Sequence, residues 1–286
     1  LHNGSIVVEQ YFGNFKADSI WSWASAGKTA TALLVGIAQQ EGLLKLSDPV
    51  SKYLGTGWTS LTPAQEAAIT IRHQLTMTTG LDDGVPDRDC TDAACLKYKA
   101  APGTRWAYHN APYTLLDKVV EAASGRNFNV YFNEKIRSRI GMNGLWVRTG
   151  PYNNVYYSSA RSMARYGLLM LAEGKWDGTA ILNDANYFES MVNTSQDLNL
   201  SYGYLTWLNG KVSHMLPIVP FVFAGSLMPN APADMYAALG RDDQKIYVVP
   251  SRKLVVVRMG ESAGSVQLAS SSFDNELWGY LKNVFP

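Results

Sequence analysis

The stretch from Lys28 to Gln40 most narrows the folds open to this chain. It is built of good helix formers and small residues, with apolar side chains on nearly every side. A helix of that kind has no wet face and must be surrounded by protein. Gly42 follows as a stop signal. The residues in front, Trp21-Ser22-Trp23-Ala24-Ser25-Ala26-Gly27, read as a loop that delivers Ser25 to the mouth of this helix. There, free N–H groups and the positive end of the helix dipole favour developing negative charge. Lys28 lies three residues on and shares a face with Ser25, so its amine can return to the serine oxygen. Burial and nearby positive charge favour the neutral amine that a base requires. Ser25 and Lys28 therefore form a nucleophile and base candidate. Taken alone they fit equally an N-cap serine and a solvated first-turn lysine, because Ser-x-x-Lys arises by chance about once in a chain of this length.

A helix buried on all sides needs a large core around it, and the composition supplies one. The chain has 286 residues, 47% of them hydrophobic and only 17% charged, so it is expected to be globular rather than disordered. A net charge of +1 with no long basic run argues against nucleic acid as a partner. The longest apolar runs, 32–38 and 216–224, fall short of a membrane span. Cys90 and Cys95 stand in an aspartate-rich loop, with Asp82, Asp83, Asp87, Asp89 and Asp92 around them. The pair fits a small disulfide, which would place the protein in the periplasm or outside the cell, or two neighbouring reduced thiols; the disulfide is the expectation taken. No histidine lies near enough to suggest zinc.

Gly4 to Phe12, rich in β-branched and aromatic residues after an Asn3-Gly4 turn, predicts a strand. Helix signals dominate from 27 to 195, with starts at Thr62-Pro63 and Thr70 and helical spacing over about 111–123, 128–140, 159–173 and 183–193. Past residue 200 the pattern changes. Tyr202–Leu208, Met235–Leu239, Lys245–Val249 and Leu254–Met259 predict strands, and Ser271–Val284 a closing helix. The Pro- and Phe-rich segment 212–232 shows no period and reads as a loop, either walling an acyl pocket or packing over a sheet edge. The economical fold is α+β, in α/β/α layers: an antiparallel sheet built from both ends of the chain, with a mainly helical lobe inserted. A single catalytic domain, 1–286, would then divide into a sheet lobe at about 1–26 and 196–286 and a helical lobe at about 27–195.

A second passage, Pro102-Gly103-Thr104-Arg105-Trp106-Ala107-Tyr108-His109-Asn110, carries Tyr-x-Asn on a turn into a helix. A tyrosine beside a cationic lysine can shuttle a proton. Asn110 can donate to a substrate carbonyl and accept from Lys28. Tyr108 as a structural aromatic and Asn110 as a helix cap are the plainer alternatives. His109, flanked by two candidate residues on a turn, is expected to point away. That argues against a Ser-His triad through it, or through His73, His214 or His2.

Together these residues carry a resemblance. Ser25-Ala26-Gly27-Lys28 opening a buried helix, the Pro-Gly-Thr-x-x-x-Tyr-x-Asn passage and the closing antiparallel strands resemble the penicillin-recognising serine hydrolases. These are the β-lactamases, the DD-peptidases and their esterase and amidase relatives. Tyr-x-Asn is similar to the class C-like branch, as are Ile69–Leu75, Thr78–Leu81 and Ser158–Arg165, so the likeness covers most of the chain. The third motif of that family, Lys or His, then Thr or Ser, then Gly, is matched by Ala238-Leu239-Gly240-Arg241. Ala238 stands where the resemblance calls for a cation that holds a carboxylate, which speaks against anionic substrates. Lys211 and Arg241 lie out of frame. The Ala-x-Gly version, followed by Gln244 and Ile246–Pro250, is similar to the 6-aminohexanoate-dimer hydrolases and related carboxylesterases.

The resemblance implies catalysis by Ser25, Lys28 and Tyr108, with an oxyanion hole from the Ser25 and Arg241 N–H groups. Asn110, Gly240 and Ala238 would position the substrate, a small ester or amide, with no metal or organic cofactor. A β-lactamase or DD-carboxypeptidase, or a catalytically weak penicillin-binding-like sensor, are the alternatives. Oligomeric state is not readable from the sequence.

Overall fold

In the computed structural model, which describes residues 1–265 and 268–285, strand β1 (Trp21–Ser22) leads through a tight turn, Ala24–Gly27, into helix α1 (Lys28–Gln40). Every residue of α1 from Lys28 to Ala38 is buried. Protein does surround it: α9 (Ala185–Val192) crosses so closely at Gly36 that a Cβ there would lie 2.5 Å from the Tyr187 ring. The Tyr187 hydroxyl donates to the Ala32 carbonyl at 2.6 Å.

Between α1 and α9 come α2 (Ser51–Leu54), α3 (Pro63–Ala67), α4 (Ile71–Leu75), α5 (Asn110–Thr114), α6 (Leu116–Ser124) and α7 (Phe128–Phe132), strands β2 (Leu145–Thr149) and β3 (Asn153–Ser158), helix α8 (Ala160–Leu171), and the small hairpin β4 (Lys175–Trp176) and β5 (Thr179–Ala180). Thr62 and Thr70 cap α3 and α4 through reciprocal side-chain and backbone bonds. The remaining elements are β6 (Trp207–Leu208), β7 (Ser213–Leu216), β8 (Val219–Ala224), β9 (Tyr236–Gly240), β10 (Gln244–Val249), β11 (Leu254–Arg258) and α10 (Ser272–Val284).

The main sheet is antiparallel in the order β11-β10-β9-β6. It is covered on both faces, which is why β10 is buried along its whole length. On one face α8 comes close at Gly167, where a Cβ would lie 2.5 Å from Val255 and 3.1 Å from Ile246. On the other, Tyr247 packs edge-on against Trp278 of α10 at 5.6 Å between ring centres. The chain start joins the β11 edge: the Leu1 amino group donates to Val255 O at 2.7 Å, and Val255 N donates back to Leu1 O at 2.9 Å. Both ends of the chain thus contribute to this sheet. A second sheet, β1-β3-β2, anchors the segment before Ser25, with Trp23 N donating to Tyr156 O at 2.8 Å and the Trp23 indole to Ser158 Oγ at 2.6 Å.

Three local expectations change. Gly4 to Phe12 is an exposed, unladdered segment rather than a strand: Leu1–Asn3 already occupy the β11 edge, and the turn at Asn3-Gly4 carries the chain away from any pairing partner. The segment expected as an aperiodic loop contains the β7–β8 hairpin, turned at Pro217-Ile218, with Pro supplying the fixed φ and Ile218 at φ +61°. Between the helices at 140 and 159, where no strand was expected, β2 and β3 form a full antiparallel pair.

Candidate active site

Ser25 sits in the turn at 24–27, whose entry is set by Ala24 at φ +47°, an unusual backbone for a non-glycine residue. Ala24 N donates to Ser22 Oγ at 3.0 Å and Ala26 N to Trp23 O at 3.0 Å. The end of β9 presses on this turn. A Cβ at Gly240 would lie 2.5 Å from Trp23 O and 2.9 Å from Ala26 N, so only glycine lets the strand approach this closely. Arg241 follows at once, with its side chain exposed and paired to Asp242. Ala238 is buried on β9 opposite Ile246 and brings no charge.

Lys28 is 5% exposed, yet no hydrogen bond or ion pair reaches its Nζ from among the described residues. The amine lies over the Tyr113 ring at 3.8 Å and near the Tyr108 ring at 5.5 Å. Burial brings its pKa down to about 7, partly opposed by the Asp89 carboxylate. Tyr108 is buried in an aromatic nest: it stacks on Trp207 at 5.6 Å and meets Tyr202 and Trp106 at 6.2 and 6.3 Å. Burial pushes its phenol well above the ordinary tyrosine value, and the nearby Ser25 side chain offsets part of that rise. At neutral pH the proton therefore rests on Tyr108 while Lys28 is poised to lose its own.

Asn110 does not bond Lys28. Its Nδ2 donates to Asp89 at 2.8 Å, and its Oδ1 is buried without a partner. Asp89 also accepts from Asn153 Nδ2 at 2.7 Å. The Asp89 loop is tied by a Cys90–Cys95 disulfide with Cα atoms 5.9 Å apart. His109 is buried, with the charges of Asp83, Arg88 and Arg105 acting on it and no hydrogen-bond partner among the described residues for either ring nitrogen, and burial lowers its pKa to about 4. Sequence reasoning passed over Tyr113 and Asp89. Tyr113 lies five residues past Tyr108, a spacing with no meaning until α5 turns; Asp89 was one aspartate among five in its loop.

The β-lactamase family model matches residues 1–275. The chain belongs to the β-lactamase family, a family of serine hydrolases acting on amide and ester bonds. An uncharacterized protein of Alkalihalophilus pseudofirmus is 26% identical over 93% of this chain and 83% of its own. The β-lactamase of Escherichia coli is 30% identical over 49% of this chain, a match spanning only 38% of that enzyme. Among solved structures, a protein of Bacillus anthracis assigned as a 6-aminohexanoate-dimer hydrolase superimposes with a TM-score of 0.75 at 20% identity, over 99% of this chain and 78% of that one. Such a likeness bears on the fold alone.

Proposed function

We propose that this protein hydrolyses small, uncharged esters or amides through an acyl-enzyme on Ser25. The observation that carries the reading is Lys28, buried without a counter-ion one helical step from Ser25, with a pKa brought down to about 7. A lysine so placed is neutral often enough at physiological pH to take a proton.

In this reading Ser25 Oγ attacks the substrate carbonyl while its proton passes to Lys28, with Tyr108 relaying it to the leaving group. The backbone N–H groups of Ser25 and Arg241 hold the oxyanion, and Gly240 supports the reading because it lets β9 reach the serine turn. Water then releases the acyl group. Asn110, held by Asp89, lines the site, and Ala238 removes the cation a carboxylate-bearing substrate would need. The carboxylesterase and 6-aminohexanoate-dimer hydrolase type is favoured on that ground over β-lactamase or DD-carboxypeptidase chemistry.

The two lobes, 1–26 with 196–286 and 27–195, act as one catalytic unit. The Cys90–Cys95 disulfide supports a periplasmic or secreted location, and no helix among the described residues is long and apolar enough to cross a membrane. The test is turnover of p-nitrophenyl acetate and butyrate by the wild type and by Ser25→Ala. Turnover that Ser25→Ala leaves intact would sink the reading, and rapid nitrocefin hydrolysis would shift it to a β-lactamase.

A further inference from the structure

Residues 241–243 join β9 to β10 and carry the proposed oxyanion N–H of Arg241. Asp242 and Asp243 are both left-handed, at φ +58° and +57°. Two successive non-glycine residues in that region persist only where the surroundings over-determine them. The surroundings here are a set of buried charges. Asp243 is 1% exposed and accepts from Ser271 Oγ at 2.6 Å and Ala263 N at 2.9 Å, with Lys245 Nζ at 3.3 Å. Lys245, fully buried, also pairs with Asp274 at 3.1 Å and donates to Ala269 O at 2.7 Å. Tyr247 OH donates to the other Asp274 oxygen at 2.6 Å, and Asp274 accepts from Ser271 N at 2.7 Å at the start of α10. From β11, Arg258 donates to the carbonyls of Asp242 and Asp243 at 2.9 and 3.2 Å.

A buried ion cluster is weak evidence for stability as such, because desolvation opposes the attraction. This one spans β10, β11 and α10 and converges on a single three-residue turn. That turn has no freedom on its other side, since Gly240 is already against Trp23 O and Ala26 N. We infer that Asp243, Lys245 and Asp274 are positioning residues that fix the Arg241 N–H toward the carbonyl oxygen attacked by Ser25. The inference rests on the oxyanion role proposed above.

The experiment compares Asp243→Gly, which keeps the left-handed backbone easy but removes the anchor, with Asp243→Asn, whose oxygen still accepts from Ala263 N while its amide can donate to the Ser271 hydroxyl. Two readouts are taken on folded protein: kcat and KM for p-nitrophenyl butyrate, and affinity for an arylboronic acid. In the boronate adduct Ser25 Oγ bonds to boron, the serine proton leaves to the base, and boron becomes a tetrahedral anion that puts an oxygen in the hole. Asp243→Gly is expected to lower kcat by about 10-fold or more with KM little changed, and to weaken boronate binding by a similar factor. Asp243→Asn is expected to recover most of both. Tyr247→Phe removes only one hydroxyl from Asp274, folds more readily, and is expected to give the same pattern at smaller size. Val119→Ala, in the core of α6, serves as a destabilised control with unchanged kcat.

If Asp243→Gly and Tyr247→Phe melt lower but keep wild-type kcat and boronate affinity, the cluster only stabilises the fold and the inference is overturned. If the wild type turns over no ester, the hydrolase reading fails, yet boronate titration, which needs only the nucleophile and its N–H donors, still decides the role of the cluster.

Discussion

Among the described residues two lysines are buried, and they are treated in opposite ways. Lys245 lies between two carboxylates, with a backbone carbonyl as third partner. Lys28 lies on a tyrosine face with no ion pair among the described residues, and the anion acting on it is Asp89. Burying an ammonium without a partner is unfavourable, so a protein that does so at one lysine and completes the set at another has separate uses for them. The paired lysine holds backbone in place. The unpaired one is left easy to deprotonate, beside the one serine that opens the buried helix. The buried charge is left uncompensated at Lys28 and compensated at Lys245, a division expected where one region does chemistry and another holds it still.

Replacing each lysine by methionine tests that contrast most severely. Lys28→Met should lower kcat/KM for a p-nitrophenyl ester by about 10³-fold, within the range for loss of a general base, and should raise the melting temperature at pH 6. The sign follows from the proton balance. The free amine titrates near 10.5 in the unfolded chain and near 7 in the native one. The unfolded state therefore binds more proton between those values, native stability rises with pH across the window, and the penalty is complete below about 7. Lys245→Met should do the reverse. It strands Asp243 and Asp274 and destabilises the fold by about 3–5 kcal/mol in denaturant melts. A Lys28→Met protein that melts below wild type at pH 6 would remove the contrast.

The two lysines were unequally legible in the sequence. Lys28 stood out because Ser25 precedes it by three and the helix behind it has no polar face, a local pattern that survives without the fold. Lys245 sits in Gln244–Val249, where one lysine in an apolar central strand signals a buried counter-ion without saying which of many carboxylates supplies it; Asp274 arrives from a helix 29 residues away. The sheet strands β10 and β11 were readable from β-branched runs between turns. Gly4–Phe12 has the same composition and forms no strand, because strand pairing is settled by which edge is free. Asp89 and Tyr113 reach Lys28 only through tertiary contact, so no spacing marked them.

A gentler test follows the wild-type pH profile. Below about pH 7 the Lys28 amine is protonated and cannot accept the Ser25 proton, so kcat/KM should climb with pH and level off above an inflection near 7. A flat profile from pH 5 to 9 would detach Lys28 from the proton transfer, while an inflection near 10 would mean its burial is relieved in the working enzyme.

The smallest effect concerns the one anion that offsets the bareness of Lys28. Asp89 favours the protonated amine, and its two oxygens accept separately from the Asn110 and Asn153 amides, one of which an asparagine could still meet through its oxygen. Asp89→Asn should therefore leave the plateau of kcat/KM near wild type and move the inflection toward acid, because removing the negative charge makes the ammonium form less favourable. The measurement is the same ester assay run in half-unit pH steps at low salt, where a charge that is not in direct contact is least screened. An inflection that stays put or moves toward base would show that Lys28 does not feel Asp89. It would then stand further from Lys245 in kind than its present surroundings suggest, as an amine governed by burial alone.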